Sequence, residues 1–139
     1  MTTTTPAETA TPGSGKAMLW TGRVLSAAFV LFMVMDIAIK LIGMKVVDDT
    51  MVQMGWPPEL ARGIGVMELI FVALYLFPRT SVLGAVLMTG VLGGAVATHV
   101  RIADPLFSHI LFGVYLGLAM WGGLYLRDPR LRALFPIRR

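Results

Sequence analysis

The segment TSVLGAVLMTGVLGGAVATH, residues 80–99, contains no aspartate, glutamate, lysine or arginine. About 20 mostly apolar residues in a helix cross the roughly 30 Å hydrocarbon core of a bilayer. Lipid offers no hydrogen-bond partner to an open backbone, so a spanning segment of this kind must be helical. Its glycines do not indicate a strand, because glycine is common in transmembrane helices. The stretch therefore predicts a transmembrane helix.

Three further apolar segments of similar character surround this one, at residues 18–44, 61–77 and 105–126. The connections between them are short and contain prolines, which mark breaks between helices. In the last of these connections, Asp104 is expected to cap a helix and Pro105 to occupy its first position. Short connections make neighbouring helices antiparallel. We therefore predict an all-α membrane protein with four transmembrane helices in an up-down-up-down bundle.

The composition supports a membrane protein. The chain has 139 residues, of which 56% are hydrophobic and only 14% charged, whereas a soluble domain has about 25% charged residues. The net charge of +4 does not indicate a nucleic-acid partner, because aromatic and basic residues are not interleaved as single-strand binding requires. The chain has no cysteine, which excludes disulfides, thiolate-bound metal and any thiol relay within it.

The basic residues predict the orientation. An even number of spans places both termini on one side, and that side receives eight lysines and arginines against four on the other. The positive-inside rule then places both termini in the cytoplasm. We expect residues 1–17 to form a disordered cytoplasmic tail, residues 18–126 the transmembrane domain and residues 127–139 a basic cytoplasmic tail. The long outer connection near residues 45–60 is either a membrane-interface segment with Trp56 or an ordinary loop.

Five ionisable residues fall at a similar depth in the outer third of the predicted bundle, with one or two on each helix. They are candidate ligand-binding residues: Asp36, Lys40, Glu68, His99 and His109. Charged residues inside a membrane cost about 2.5–3.5 kcal/mol each and usually face the bundle interior. The coincidence of depth therefore predicts a polar pocket.

Glu68 is the hardest of these residues to explain by local structure, because no lysine or arginine lies within one turn of its own helix. It must pair across helices, face water or be protonated. Asp36 and Lys40 are spaced i,i+4, so they share a helix face, either in the pocket or as a simple ion pair. His109 shares a face with small residues and should face a neighbouring helix, while His99 could face the bundle or anchor the interface.

The sequence predicts no metal site. It lacks the Glu-x-x-His motif of di-iron bundles, and although His99 and His109 could in principle ligate haem, nothing in their spacing demands it. A mononuclear site of Glu68, His99 and His109 is equally weakly indicated. Haem is therefore disfavoured, and no catalytic residues are assigned.

Several segments together resemble the DoxX-like family of small bacterial integral membrane proteins. They are WTGRVLSAAFVLFMVMDIAIKLI (20–42), GVMEL (65–69), YLFPRTSVLGA (75–85), GGAVATHVR (93–101), DPLFSH (104–109) and YLRDPRLR (125–132). The resemblance implies four transmembrane helices, a bacterial inner-membrane location and a loose association with redox chemistry, since the family takes its name from a membrane subunit of a thiosulfate:quinone oxidoreductase. It implies no particular activity for this chain.

Three functions fit these observations. The first is a quinone-linked redox accessory or membrane subunit, in which His99 or His109 bonds a quinone carbonyl and Glu68 or Asp36 relays a proton. The second is a non-enzymatic transporter or binding protein for a small solute or protons. The third is a structural assembly partner that packs other helices through its glycines. The expected partners are the lipid bilayer and a quinone or redox protein, and a homo-oligomer is left open.

Overall fold

All the regular secondary structure is helical in the part that the computed structural model describes, residues 12–136. Six α-helices and one π-helical turn account for all its regular structure. In chain order they are α1 (Pro12–Ile42), α2 (Lys45–Gln53), α3 (Leu60–Leu76), α4 (Ser81–Arg101), the π-helical turn (Leu106–Ile110), α5 (Phe112–Arg127) and α6 (Pro129–Leu134).

Three helical segments are long and apolar enough to cross a membrane. They are Gly15–Ile42, Ser81–Arg101 and Leu106–Arg127. Residues 81–101 thus form a helix of the predicted kind, and the prediction of an all-helical membrane protein is confirmed. Helix α3 is apolar as well but has only 17 residues, the lower limit of the range found for spanning helices.

The four long helices pack side by side, and each of them contacts two of the others. Helix α1 contacts α5 and α3, and α4 contacts α3 and α5 on the other side. Large apolar side chains from all four helices fill the centre and are almost fully buried, namely Phe29, Met33, Tyr75, Met88 and Met120. Since lipid is as apolar as these side chains, close packing and interhelical hydrogen bonds hold such helices together in a membrane.

A hydrogen-bonded network joins three of the helices at the end remote from α2. The Tyr75 hydroxyl donates to the carbonyl oxygen of Met120 at 2.8 Å and lies 2.9 Å from Ser26 Oγ. Because its one proton goes to Met120, Tyr75 accepts from the serine. Ser26 Oγ in turn accepts from Arg127 Nε at 3.0 Å. The network links α1, α3 and α5.

The Tyr75→Phe variant should lose about 1–3 kcal/mol of unfolding free energy, because it removes the two buried hydrogen bonds that the Tyr75 hydroxyl makes to Ser26 and to the Met120 carbonyl. Tyr115→Phe is the matched control, since Tyr115 is exposed and its hydroxyl bonds nothing within the described residues. Unfolding titrations in mild detergent measure both. An equal loss in the two variants would contradict the role given to this network.

The structure differs from the predicted boundaries in three places. Helix α1 begins at Pro12 rather than residue 18, while residues 1–11 of the predicted disordered tail lie outside the described residues. Residues 129–134 of the predicted basic tail form α6. The outer connection contains α2, in which Val47 and Met51, one turn apart, are buried.

Candidate ligand-binding cavity

A cavity of about 470 Å³ lies between the four long helices at the end where α2 is found. We call this end of the molecule the α2 end. Most of the lining side chains are apolar, among them Phe32, Met33, Leu92, Phe112 and Leu116. The five ionisable residues singled out from the sequence also line it: Asp36, Lys40, Glu68, His99 and His109. Ligand pockets commonly have volumes of about 300–1,000 Å³ and this mixture of apolar walls and few polar groups.

One wall of the cavity carries an ion cluster of three residues, Asp36, Lys40 and Glu68. Lys40 Nζ donates to Asp36 Oδ2 at 2.5 Å, one helical turn away on α1. It also donates to both carboxylate oxygens of Glu68 on α3, at 2.9 Å and 2.8 Å. Glu68 is only 3% exposed. The glutamate without a partner on its own helix is therefore paired across helices, which is the first of the three alternatives left open by the sequence.

The histidine pair consists of His99 at the end of α4 and His109 in the π-helical turn. Their ring centroids lie 5.9 Å apart. His99 Nδ1 lies 2.6 Å from Asp104 Oδ2, and His109 Nδ1 lies 2.7 Å from Ser108 Oγ. Because an ionised carboxylate only accepts, we assign the His99 proton to Nδ1. Both Nδ1 atoms are thus engaged, which leaves the Nε2 atoms for other partners.

Asp104 does not cap a helix as expected. Pro105 holds the cap position before the π-helical turn, and no side chain bonds to the turn there. The carboxylate instead bonds to His99, because an imidazole can offer it a charge-assisted hydrogen bond. His99 is therefore the better-anchored histidine. His109, favoured by the sequence, lies in the π-helical turn and is exposed.

Helix α2 covers the cavity, a role that sequence reasoning missed. Val47 and Met51 point inward and line the cavity, as do the following Met54 and Trp56. The i,i+4 spacing of Val47 and Met51 is the signal that could have revealed this helix.

Glycines flank this cover on both sides. Gly43 and Gly55 both have a φ of +77°, a left-handed conformation that other residues adopt only with strain. Arg101 on α4 donates a hydrogen bond to the carbonyl oxygen of Met54, which ties the end of α2 to the end of α4.

The chemistry available at this site is binding and proton exchange. Among residues 12–136, no three or more histidine, aspartate or glutamate side chains are grouped so that they could hold a metal ion. Polar atoms at one end and apolar walls elsewhere suit a molecule with a polar head and an apolar body.

Comparison with known proteins gives one match. The model of the DoxX-like family matches residues 24–123, which is more than half of the chain and includes all five ionisable residues of the cavity. No curated protein and no solved structure matches the chain.

Proposed function

The chain belongs to the DoxX-like family, and from this premise we propose that it is a membrane-spanning protein that binds a small amphipathic molecule at the α2 end. One observation carries the proposal: a single cavity of about 470 Å³ combines apolar walls with five ionisable side chains. Buried charges inside a membrane are costly and tend to mark functional sites. A structural role alone needs no cavity.

We further infer that α1, α3, α4 and α5 all span the membrane, in alternating directions. A 17-residue α3 reaches about 25 Å at 1.5 Å per residue, enough for a short span. Membership of the DoxX-like family favours a bacterial inner membrane, and the distribution of lysine and arginine favours an orientation with both termini in the cytoplasm. The absence of native cysteine permits a direct check. An impermeant thiol reagent added to cells should label Asp49→Cys but not Arg130→Cys, and the reverse pattern would refute this orientation.

A quinone is one candidate for the ligand. Its flat ring suits the apolar walls, and a neutral His109 that accepts from Ser108 at Nδ1 carries a proton on Nε2 for one quinone carbonyl. In the neutral ring of His99, whose Nδ1 donates to Asp104, the Nε2 atom is an acceptor rather than a donor. A bound quinone would supply the electron chemistry of a redox accessory subunit. The residues of this chain would hold its head group, and the electron donor would come from a partner.

A pair of glycine variants tests binding in the cavity. Gly94 lines the cavity and its neighbour Gly93 does not, and an added Cβ meets nothing within 4 Å at either position. With a quinone as the ligand, a short-chain quinone would stabilise the wild type and Gly93→Trp saturably against unfolding in nanodiscs. Gly94→Trp should lose this stabilisation because the indole fills the cavity.

The same measurement distinguishes quinone bound in the cavity from quinone that partitions non-specifically into the lipid. Stabilisation that is equal in Gly94→Trp and Gly93→Trp would place the quinone in the lipid or on the surface, and would contradict binding at this site. Stabilisation that is absent from the wild type as well would remove the quinone from the candidates.

The second candidate is transport of a small solute or protons through the same cavity. The observation that favours it is the pair of left-handed glycines at the ends of α2, Gly43 and Gly55, since hinges often use small residues. Flux into proteoliposomes that Glu68→Gln abolishes would support transport. Unchanged cellular function with Glu68→Gln and His109→Ala together would leave only the third candidate, a structural assembly partner.

A further inference from the structure

The ion cluster holds two carboxyl groups and one ammonium group, so in its fully ionised form it carries one excess negative charge. Lys40 is the only ammonium group between Asp36 and Glu68. The side chain of Asp36 is only 25% exposed and that of Glu68 4%, so water screens the excess charge poorly. Burial of an uncompensated charge is unfavourable, and such a group is neutralised either by a proton or by a partner of opposite sign.

No other group at the cavity supplies that partner. The remaining ionisable side chains in its lining, from α4 and the π-helical turn, are His99 and His109. His99 Nδ1 already pairs with the carboxylate of Asp104, and His109 Nδ1 bonds to Ser108, so neither ring is paired with the ion cluster. Among the described residues, α2 and α5 contribute no lysine or arginine to the lining.

A further basic group close to Lys40 lies outside the main cavity. Arg62 lines a second cavity of about 360 Å³ on the other side of Lys40, together with Asp48 and Glu59. Two acidic residues therefore accompany the guanidinium there. Arg62 makes no ion pair with Glu68 or Asp36, and it leaves the excess charge of the ion cluster uncompensated.

Aromatic rings in the lining of the main cavity also favour a positively charged ligand. Phe32 and Phe112 pack edge to face with ring centroids 4.9 Å apart, and both line the cavity with Trp56. The faces of aromatic rings attract cations, with tryptophan the strongest. The apolar remainder of the lining suits a hydrophobic body.

We propose that the ligand of this cavity is a lipophilic cation, a small apolar molecule with one positive charge that neutralises the excess carboxylate of the ion cluster. The proposal rests on the proposed function and names the ligand class of the same site. The proposal predicts that the cavity binds cations more tightly than neutral molecules, such as quinones, or anions.

A series of probes with similar shape and different charge tests the proposal. They are tetraphenylphosphonium, neutral triphenylphosphine oxide and anionic tetraphenylborate, titrated into the full chain in phosphatidylcholine nanodiscs with empty nanodiscs subtracted. We expect saturable binding of tetraphenylphosphonium at one site per chain, weaker binding of the oxide and no saturable binding of the borate. Gly94→Trp should abolish the phosphonium site and Gly93→Trp should keep it.

Asp36 variants connect the binding to the excess charge. Asp36→Asn leaves the Lys40–Glu68 pair in place and makes the cluster neutral, so the affinity for tetraphenylphosphonium should fall about tenfold or more. Asp36→Glu keeps the charge and should bind like the wild type. Neither change should affect the oxide.

Three results would overturn the cation assignment: equal affinity for the phosphonium and the oxide, phosphonium binding that Asp36→Asn does not weaken, or no saturable binding of the phosphonium. The first result, with the oxide lost in Gly94→Trp and kept in Gly93→Trp, would refute the charge preference but leave the binding cavity supported. The proposed function, binding of a small amphipathic molecule in the cavity, fails separately. It is contradicted if no molecule binds to the wild type and Gly93→Trp and is lost in Gly94→Trp.

Discussion

Replacing Gly84 with valine is expected to destabilise the protein by about 3 kcal/mol or more, the upper part of the range for overpacked sites. A Cβ on Gly84 would lie 2.8 Å from both the carbonyl oxygen of Phe71 and the Cα of Tyr75. Both contacts are to the backbone of α3, so no flexible side chain can move away. The helices α3 and α4 would have to separate, and the packing around the buried Tyr75 would separate with them.

Gly90→Val is the matched control for this prediction. Gly90 lies on the same helix, and an added Cβ there meets nothing within 4 Å. The same change in helix propensity is thus introduced without the close contact. Unfolding free energies from denaturant titration in detergent should differ sharply between the two variants. If Gly84→Val is no less stable than Gly90→Val, then α3 and α4 do not approach as closely as described.

Replacing Lys40 with methionine is expected to cost about 3–5 kcal/mol of stability, the range for removing one partner of a buried ion pair. The change leaves two carboxylates, Asp36 and Glu68, without their shared donor, and Glu68 is 3% exposed. Adding Glu68→Met to Lys40→Met should restore much of the loss, because apolar side chains in that space need no counter-charge.

Lys45→Met provides the control for the lysine. Lys45 also donates to an aspartate one turn away, Asp49, at 2.7 Å, but both side chains are largely exposed. Exposed pairs of this kind contribute little, so stability should not change measurably. Equal losses for Lys40→Met and Lys45→Met, or no recovery in the double variant, would show that the ion cluster is not buried as described.

Composition and span length were sufficient to predict the class of helical membrane proteins. In lipid the backbone N–H and C=O groups must form their hydrogen bonds within the protein, and this requirement dominates the choice of fold. The helix at residues 81–101 follows from twenty uncharged residues alone. Helix α2 could not be settled in the same way. It has only nine residues, and its formation depends on burial of Val47 and Met51 against other helices, which a short pattern does not determine.

The residues of the cavity were predictable as a group but not as pairs. Depth along each span is a one-dimensional quantity, so the sequence could place five ionisable residues near one level. Whether Glu68 meets Lys40 depends on how α1 and α3 rotate about their axes. The partners of the two histidines could not be predicted for a local reason: the π-helical turn at Leu106–Ile110 changes the angular spacing on which the argument for His109 relied.

The most direct test of the binding cavity is an inventory of small molecules that co-purify with the protein. Wild type, Gly93→Trp and Gly94→Trp would be extracted after gentle purification in the same lipid, and the extracts compared by mass spectrometry. The account predicts at least one non-lipid molecule present in near-equal amounts in wild type and Gly93→Trp and absent from Gly94→Trp. Identical inventories for all three proteins would contradict it.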